Sequence, residues 1–304
     1  MPDAGVEGTL RRVSNIAVSS IAVGLLVLAL KTASWWLTGS AGLFSDALES
    51  VVNVASSAAA AAALFYSTRP ADENHPYGHD KAEFFAAVLV GVLIIVAAIS
   101  IFQHAFTHWN QGGTLESPGV GLGLNLLATG INGGWAFMLG RVAREQRSVA
   151  LAADARHLWS DVATSMAVVC GVLLVLLTGI GWLDGAIAAA VGLHVLWSGW
   201  GVVRTNVGGL MDEAPGGAVM GRTREILNQA AAGAIEAHDL RMRTTGRNAY
   251  LEFHLVVPGD MRVAEAHAIC DRVEAALKAE LPELVITIHV EPEGKAKHQG
   301  VLVL

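Results

Sequence analysis

Residues 43–65 read LFSDALESVVNVASSAAAAAALF, an apolar run crossed by Asp46, Glu49 and Asn53. A bilayer core of roughly 30 Å needs about 20 mainly apolar residues in a helix, and this run is long enough. Its three polar residues fall at relative positions 0, 3 and 7. On a helix of 3.6 residues per turn they lie along one stripe. The pattern returns in a second long apolar run, where Asp154, His157 and Asp161 hold the same positions. Two membrane helices thus each present a polar stripe, and the surrounding chain reads as a membrane bundle.

Working outward, six apolar runs are long enough to span: Ile16–Trp36, Leu43–Phe65, Phe84–Phe106, the glycine-rich Val120–Leu139, Leu151–Leu177 and Gly185–Val203. Hydrophobic residues make up 53% of the chain and charged residues 15%. A soluble domain carries about 25% charged residues, so lipid is the expected solvent for much of this chain. The net charge of −7 gives no footing for nucleic acid as a partner. Cys170 and Cys270 are too far apart in character for a disulfide framework and fit a reducing compartment. No small-residue cleavage site follows the first apolar run, which is therefore expected to stay as an anchor.

Arginine and lysine alternate between loops. Arg11 and Arg12 precede span one, Arg69 and Lys81 follow span two, Arg141, Arg144 and Arg147 follow span four, and Arg204 follows span six. Positive residues mark the cytoplasmic side, so both termini are expected in the cytosol, with a bacterial inner (plasma) membrane as the setting. Lys31, near the end of span one, runs against the rule. Residues 1–207 form the expected transmembrane domain. Past Pro215-Gly216-Gly217 the spacing predicts a helix over Val219–Ala232, strands at Leu240–Arg243 and Ala249–Val257, a helix over Val263–Ala279, and a strand at Leu284–Val290. This makes residues 208–304 a small α+β domain with helices on one face of a sheet.

Ionisable groups within a bilayer cost roughly 2.5–3.5 kcal/mol each on insertion scales and persist where they face a partner, a cavity or an ion. Facing stripes would gather Glu49, Asn53, His157 and Asp161, an N/O set suited to a four-coordinate divalent metal. Two carboxylates with a neutral imidazole and amide offset such an ion; a metal-free hydrogen-bond network is the other reading. Asp46 and Asp154 stay open, as ligands, partners of ligands or groups of a cytosolic vestibule. In the loop after span two, Asp72, His75 and His79 have ligand chemistry at short spacing, with Pro76 and Gly78 to bend the chain; a solvated loop with helix-capping histidines is the plain alternative. In the C-terminal domain, alternation puts Ile286, Ile288 and Val290 on the core face. His254, His289 and Glu291 then share the other face of two strands, and His238 precedes the first strand. His267 and Asp271 sit one helical turn apart. An ordinary polar sheet face is the alternative there. No HExxH pattern and no serine nucleophile beside a stripe points to an enzyme.

These motifs, with the loop Pro70-Ala71-Asp72-Glu73-Asn74-His75-Pro76-Tyr77-Gly78-His79, Lys81-Ala82-Glu83 and His238-Asp239-Leu240-Arg241, resemble the cation diffusion facilitator family over nearly the whole chain. The resemblance implies a homodimer with six membrane helices, a cytosolic ferredoxin-like domain, and proton-coupled export of Zn²⁺ or a related ion. It implies a transport site of Glu49, Asn53, His157 and Asp161 and a loop site of Asp72, His75 and His79. Cytosolic sites would draw on His238, His254, His267, Asp271, His289 and Glu291. One departure stands out: members commonly place Asp or His where Glu49 stands and Asp where Asn53 stands. The neutral amide leaves Fe²⁺, Co²⁺ and Mn²⁺ beside Zn²⁺ as candidates. A membrane metal sensor that moves no ion is the alternative function.

Overall fold

In lipid every backbone N–H and C=O must be paired within the protein, and a helix does this within one segment. The long apolar runs are helical throughout: α1 (Ala4–Thr38), α2 (Ala41–Ser67), α3 (Ala82–Gln111), α4 (Pro118–Gln146), α5 (Val149–Thr178) and α6 (Trp182–Leu210). The structure, a computed structural model, describes residues 4–111, 117–146, 149–245, 248–298 and 300–302. Side chains are described for 19–63, 65–107, 109, 117–144, 155–245, 248–298 and 300. Among the described residues six helices are long and apolar enough to cross a membrane, with stretches of 20 to 29 residues.

The chain divides into two compact units. The first runs to Ala62 and resumes over Ala87–Val203. Within it α4 packs on both α1 and α5. The α1–α4 contact needs a glycine: Ser34 Oγ donates to the Gly121 carbonyl at 2.7 Å, and a Cβ at Gly121 would lie 2.0 Å from Thr38 Cγ2. The start of α2 is capped from α6. The Asp184 carboxylate accepts from Ala41 N at 2.6 Å, Ser40 Oγ at 2.6 Å and Gly42 N at 3.3 Å. An anion there meets the positive end of the helix dipole.

The second unit joins Ala63–Ala86 to Arg204 and everything after it. Its sheet has the order β3-β2-β1-β4, with β1 at Glu236–Thr245, β2 at Asn248–Val257, β3 at Leu284–Pro292 and β4 at Val301–Leu302. β1 pairs antiparallel with β2 and β4, and β2 pairs parallel with β3. A parallel neighbour needs a crossover, and α8 (Val263–Glu280) supplies it. With α7 (Gly217–Ala230) it covers one sheet face, where Leu227, Leu251, Phe253, Leu255, Val273 and Leu277 are buried.

Three expectations need correcting. β1 begins at Glu236, so His238 lies inside the strand and not before it. Val290 is exposed, because β3 is an edge strand and its last residues leave the core that Leu284, Ile286 and Ile288 reach. A fourth strand, β4, is present. It is only two residues long and gives no alternation to read.

Candidate metal centres

The stripes of α2 and α5 meet, at an offset set by Asp161. Asn53 Nδ2 donates to Asp161 Oδ2 at 2.7 Å, and His157 Nε2 stands 3.8 Å from the same oxygen. Asp161 is buried while His157 is half exposed. All three line a cavity of about 370 Å³ with Ser20, Asn132 and Trp135. Glu49 is held one step further along, where Thr164 Oγ1 lies 3.2 Å from Glu49 Oε2. Three of the four expected groups therefore share one cavity wall, with Glu49 adjoining.

Asp46 does not belong to this set of donors. Lys31 Nζ donates to its Oδ1 at 2.7 Å, Ser165 Oγ to the same atom at 2.7 Å, and Asn125 Nδ2 to Oδ2 at 2.6 Å. Both oxygens are committed and the charge is cancelled. Of the three expected roles for Asp46, these contacts fit best that of a group paired beside the ligands. The Lys31 contact removes the exception to the charge rule, because Lys31 is 2% exposed and marks no loop. Its signal was available: a lone lysine inside an apolar run needs a buried partner. Asp154 lies outside the residues whose side chains are described.

The loop after α2 does converge. Asp72 Oδ1 accepts from the backbone N–H of His75 at 2.7 Å and of Asn74 at 2.9 Å. His75 Nδ1 is 3.1 Å from Asp72 Oδ1, and His79 Nε2 is 3.4 Å from Asp72 Oδ2. One ligand atom from each of the three lies within 4.8 Å of the others. The His75 backbone N–H, first among several donors, holds the Asp72 carboxyl below the usual carboxylate range. His79 is buried and its Nδ1 lacks a hydrogen-bond partner. Lys81 pairs with Asp212 at 2.9 Å and Asn248 Nδ2 donates to Asp80 at 2.5 Å, fastening the loop's end.

On the sheet face away from the helices, His238, His254 and His289 stand in register across β1, β2 and β3. Adjacent ring centroids are 5.2 and 4.9 Å apart. Glu291 serves all three: 3.4 Å from His238 Nε2, 3.4 Å from His254 Nδ1 and 3.7 Å from His289 Nε2. Both ring nitrogens of His238 and Nδ1 of His254 are buried without a well-formed hydrogen bond. Buried polar atoms are normally satisfied, so this donor set fits a metal ion. Sequence reasoning missed Asp239, which groups with His238 and His254 within 4.8 Å. Its φ of 53°, at the register shift in β1, turns it toward them. His267 and Asp271 stand apart on the exposed side of α8, 3.7 Å from each other.

Residues 17–211 match the cation efflux transmembrane domain, and residues 215–293 match the cation efflux protein cytoplasmic domain. The chain belongs to the cation efflux family. This is the cation diffusion facilitator family, whose members are transporters and not enzymes. An uncharacterized transporter of Synechocystis sp. is 39% identical over 285 residues, covering 93% of this chain and 92% of that one. The cation-efflux pump FieF of Yersinia pestis is 31% identical over 282 residues, covering 93% of each. A solved structure of CzrB in its zinc form is 48% identical, with a TM-score of 0.27 over 28% of this chain and 98% of that one. As a cation efflux protein the chain is a multi-pass membrane protein with an α+β C-terminal domain.

Proposed function

We propose that this protein exports a divalent transition-metal ion from the cytosol in exchange for protons, with Zn²⁺ the first candidate and Fe²⁺, Co²⁺ and Mn²⁺ behind it. The reading rests on one observation: Asn53, His157 and Asp161 line one cavity inside the membrane unit, beside Glu49. Residues 1–207 act as the transport domain and 208–304 as the cytosolic sensing and dimerisation domain. Both termini lie in the cytosol of a cell whose inner membrane holds the homodimer.

The chemistry follows from the donors. Metal ligands must be deprotonated, so a cation entering from the cytosol displaces protons from His157 and the carboxylates. When the site faces outward, protonation of the imidazole competes with the ion and releases it. Asp161 then needs a new partner, and the Asn53 amide already donates to it at 2.7 Å. This bond keeps the empty site from exposing a bare buried charge. Asp72, His75 and His79 would hold an ion at the mouth of the loop. His238, His254, His289 and Glu291 would hold a regulatory ion, whose positive charge binds three strands of the sheet together. His267 and Asp271, exposed on α8, would hold a further ion shared with a second copy of the chain.

Uptake of Zn²⁺, Fe²⁺, Co²⁺ and Mn²⁺ into proteoliposomes under an imposed pH gradient tests the proposal. The proposal predicts flux of one ion that follows the gradient. Flux indifferent to the gradient contradicts antiport, and bound metal with no flux favours a membrane metal sensor.

A further inference from the structure

α1 carries one cation inside its membrane span, and the structure gives it a specific place. Lys31 Nζ donates to Asp46 Oδ1 at 2.7 Å and to Ser165 Oγ at 2.8 Å. The Ser165 hydroxyl donates to Asp46 Oδ1 at 2.7 Å, and Asn125 Nδ2 donates to Oδ2 at 2.6 Å. The four residues are between 0% and 2% exposed and come from α1, α2, α4 and α5. A buried ion pair is tolerated when its remaining hydrogen-bonding capacity is met, and here Ser165 and Asn125 supply hydrogen bonds to the pair.

The location gives the pair its meaning. On α2 Asp46 is one helical turn from Glu49. On α5 Ser165 follows Thr164, the residue that reaches Glu49 at 3.2 Å. Adjacent residues of α5 thus hold adjacent carboxylates of α2, one neutralised and one not. Without Lys31 three carboxylates, Asp46, Glu49 and Asp161, would bear on a passing cation. With it, two do.

We propose that Lys31 is a specificity-determining positioning residue: by neutralising Asp46 it holds the transport site at two carboxylates and keeps a third hard oxygen donor out of it. This rests on the reading of Asp161 and its neighbours as the transport site. Hard carboxylate oxygens suit Mn²⁺ more than Zn²⁺. Lys31→Met frees Asp46 to attract cations, so the KM for transport falls, more for Mn²⁺ than for Zn²⁺. Asp46→Asn leaves the ammonium uncompensated near Glu49, so KM rises for both ions. The double change cancels the two and brings KM back toward wild type.

The test is proteoliposome flux of Zn²⁺ and Mn²⁺ for wild type, Lys31→Met, Asp46→Asn, the double variant, Lys31→Arg and Asp161→Ala, each checked for a monodisperse peak in detergent. Removing the two partners of a purely structural pair harms transport in the same sense. The proposal instead requires opposite KM shifts of about tenfold, the scale of a unit charge acting across a helical turn. Should Lys31→Met not fold, Asp46→Asn against the double variant carries the same comparison, since the second change must lower KM. Same-direction shifts, or a Zn²⁺/Mn²⁺ ratio unmoved by Lys31→Met, overturn the proposal while Asp161→Ala still abolishes flux. A KM shift in Lys31→Arg as large as in Lys31→Met also overturns it, because the charge is kept. Flux that survives Asp161→Ala removes the site itself and the proposal with it.

Discussion

Asp46 and Glu49 are one helical turn apart, yet one meets an ammonium and the other a hydroxyl. Sequence spacing places both on one stripe and cannot tell them apart, because the difference comes from α1. The stripe was therefore legible, and the division of labour within it was not. Asn53, His157 and Asp161 were legible in kind and position, since an ionisable residue in an apolar run must face something. Asp239 was not, because its placement depends on a left-handed φ of 53° within a strand. At this scale Asn125→Leu leaves one oxygen of a buried carboxylate without its donor. A loss of about 1–3 kcal/mol is expected, read as a lower melting temperature in detergent. His157→Gln keeps a neutral donor and removes the titratable one. Residual metal flux that no longer responds to an imposed pH gradient is the expected result, and a full gradient response in that variant would assign proton coupling to another group.

The elements set which groups can meet. Period and length gave the six membrane helices, since lipid tolerates little else. Alternation gave β2 and the helix-facing half of β3. It failed at β1, whose register shift near His238 breaks the period of two, and at β4, which exists through pairing alone. The last segment is tied down by specific contacts. Glu236, fully buried, accepts from His298 N at 3.0 Å and Gly300 N at 2.9 Å, while Lys297 Nζ donates to Asp239 at 2.5 Å. A Cβ at Gly300 would lie 2.3 Å from the Ala237 carbonyl. Gly300→Ala is expected to detach β4 from β1, seen as faster amide exchange at 298, 300, 301 and 302 and at Ala237, with the β2–β3 pairing unaffected. The Lys297 ammonium holds the Asp239 carboxyl below its usual range. A depressed carboxyl stabilises the fold above its unfolded pKa of about 3.9 and loses that effect as pH falls through the lower folded value. The Lys297–Asp239 contact should therefore persist across neutral pH and weaken only in strong acid. In the core of this unit Phe253→Ala should cost about 3–5 kcal/mol, measured as a lower unfolding midpoint.

For the whole molecule, the membrane unit has its own cavity and the second unit has a histidine row and the Asp72, His75 and His79 cluster; on the proposed function the cavity takes the cargo and the others answer to metal. Family membership was legible from several motifs in order, while the ion was not, because Asn53 departs from the family pattern and geometry outweighs donor type. If the histidine row regulates transport, His238→Ala with His254→Ala should change how flux depends on cytosolic metal and leave the pH-gradient response intact. The account as a whole depends on the cation crossing at the α2–α5 cavity. Metal flux into proteoliposomes, compared between wild type and Asp161→Ala, addresses this most directly. The account predicts that the substitution abolishes gradient-driven flux while the protein stays folded and still binds metal at its loop and sheet. Undiminished flux through Asp161→Ala would contradict it.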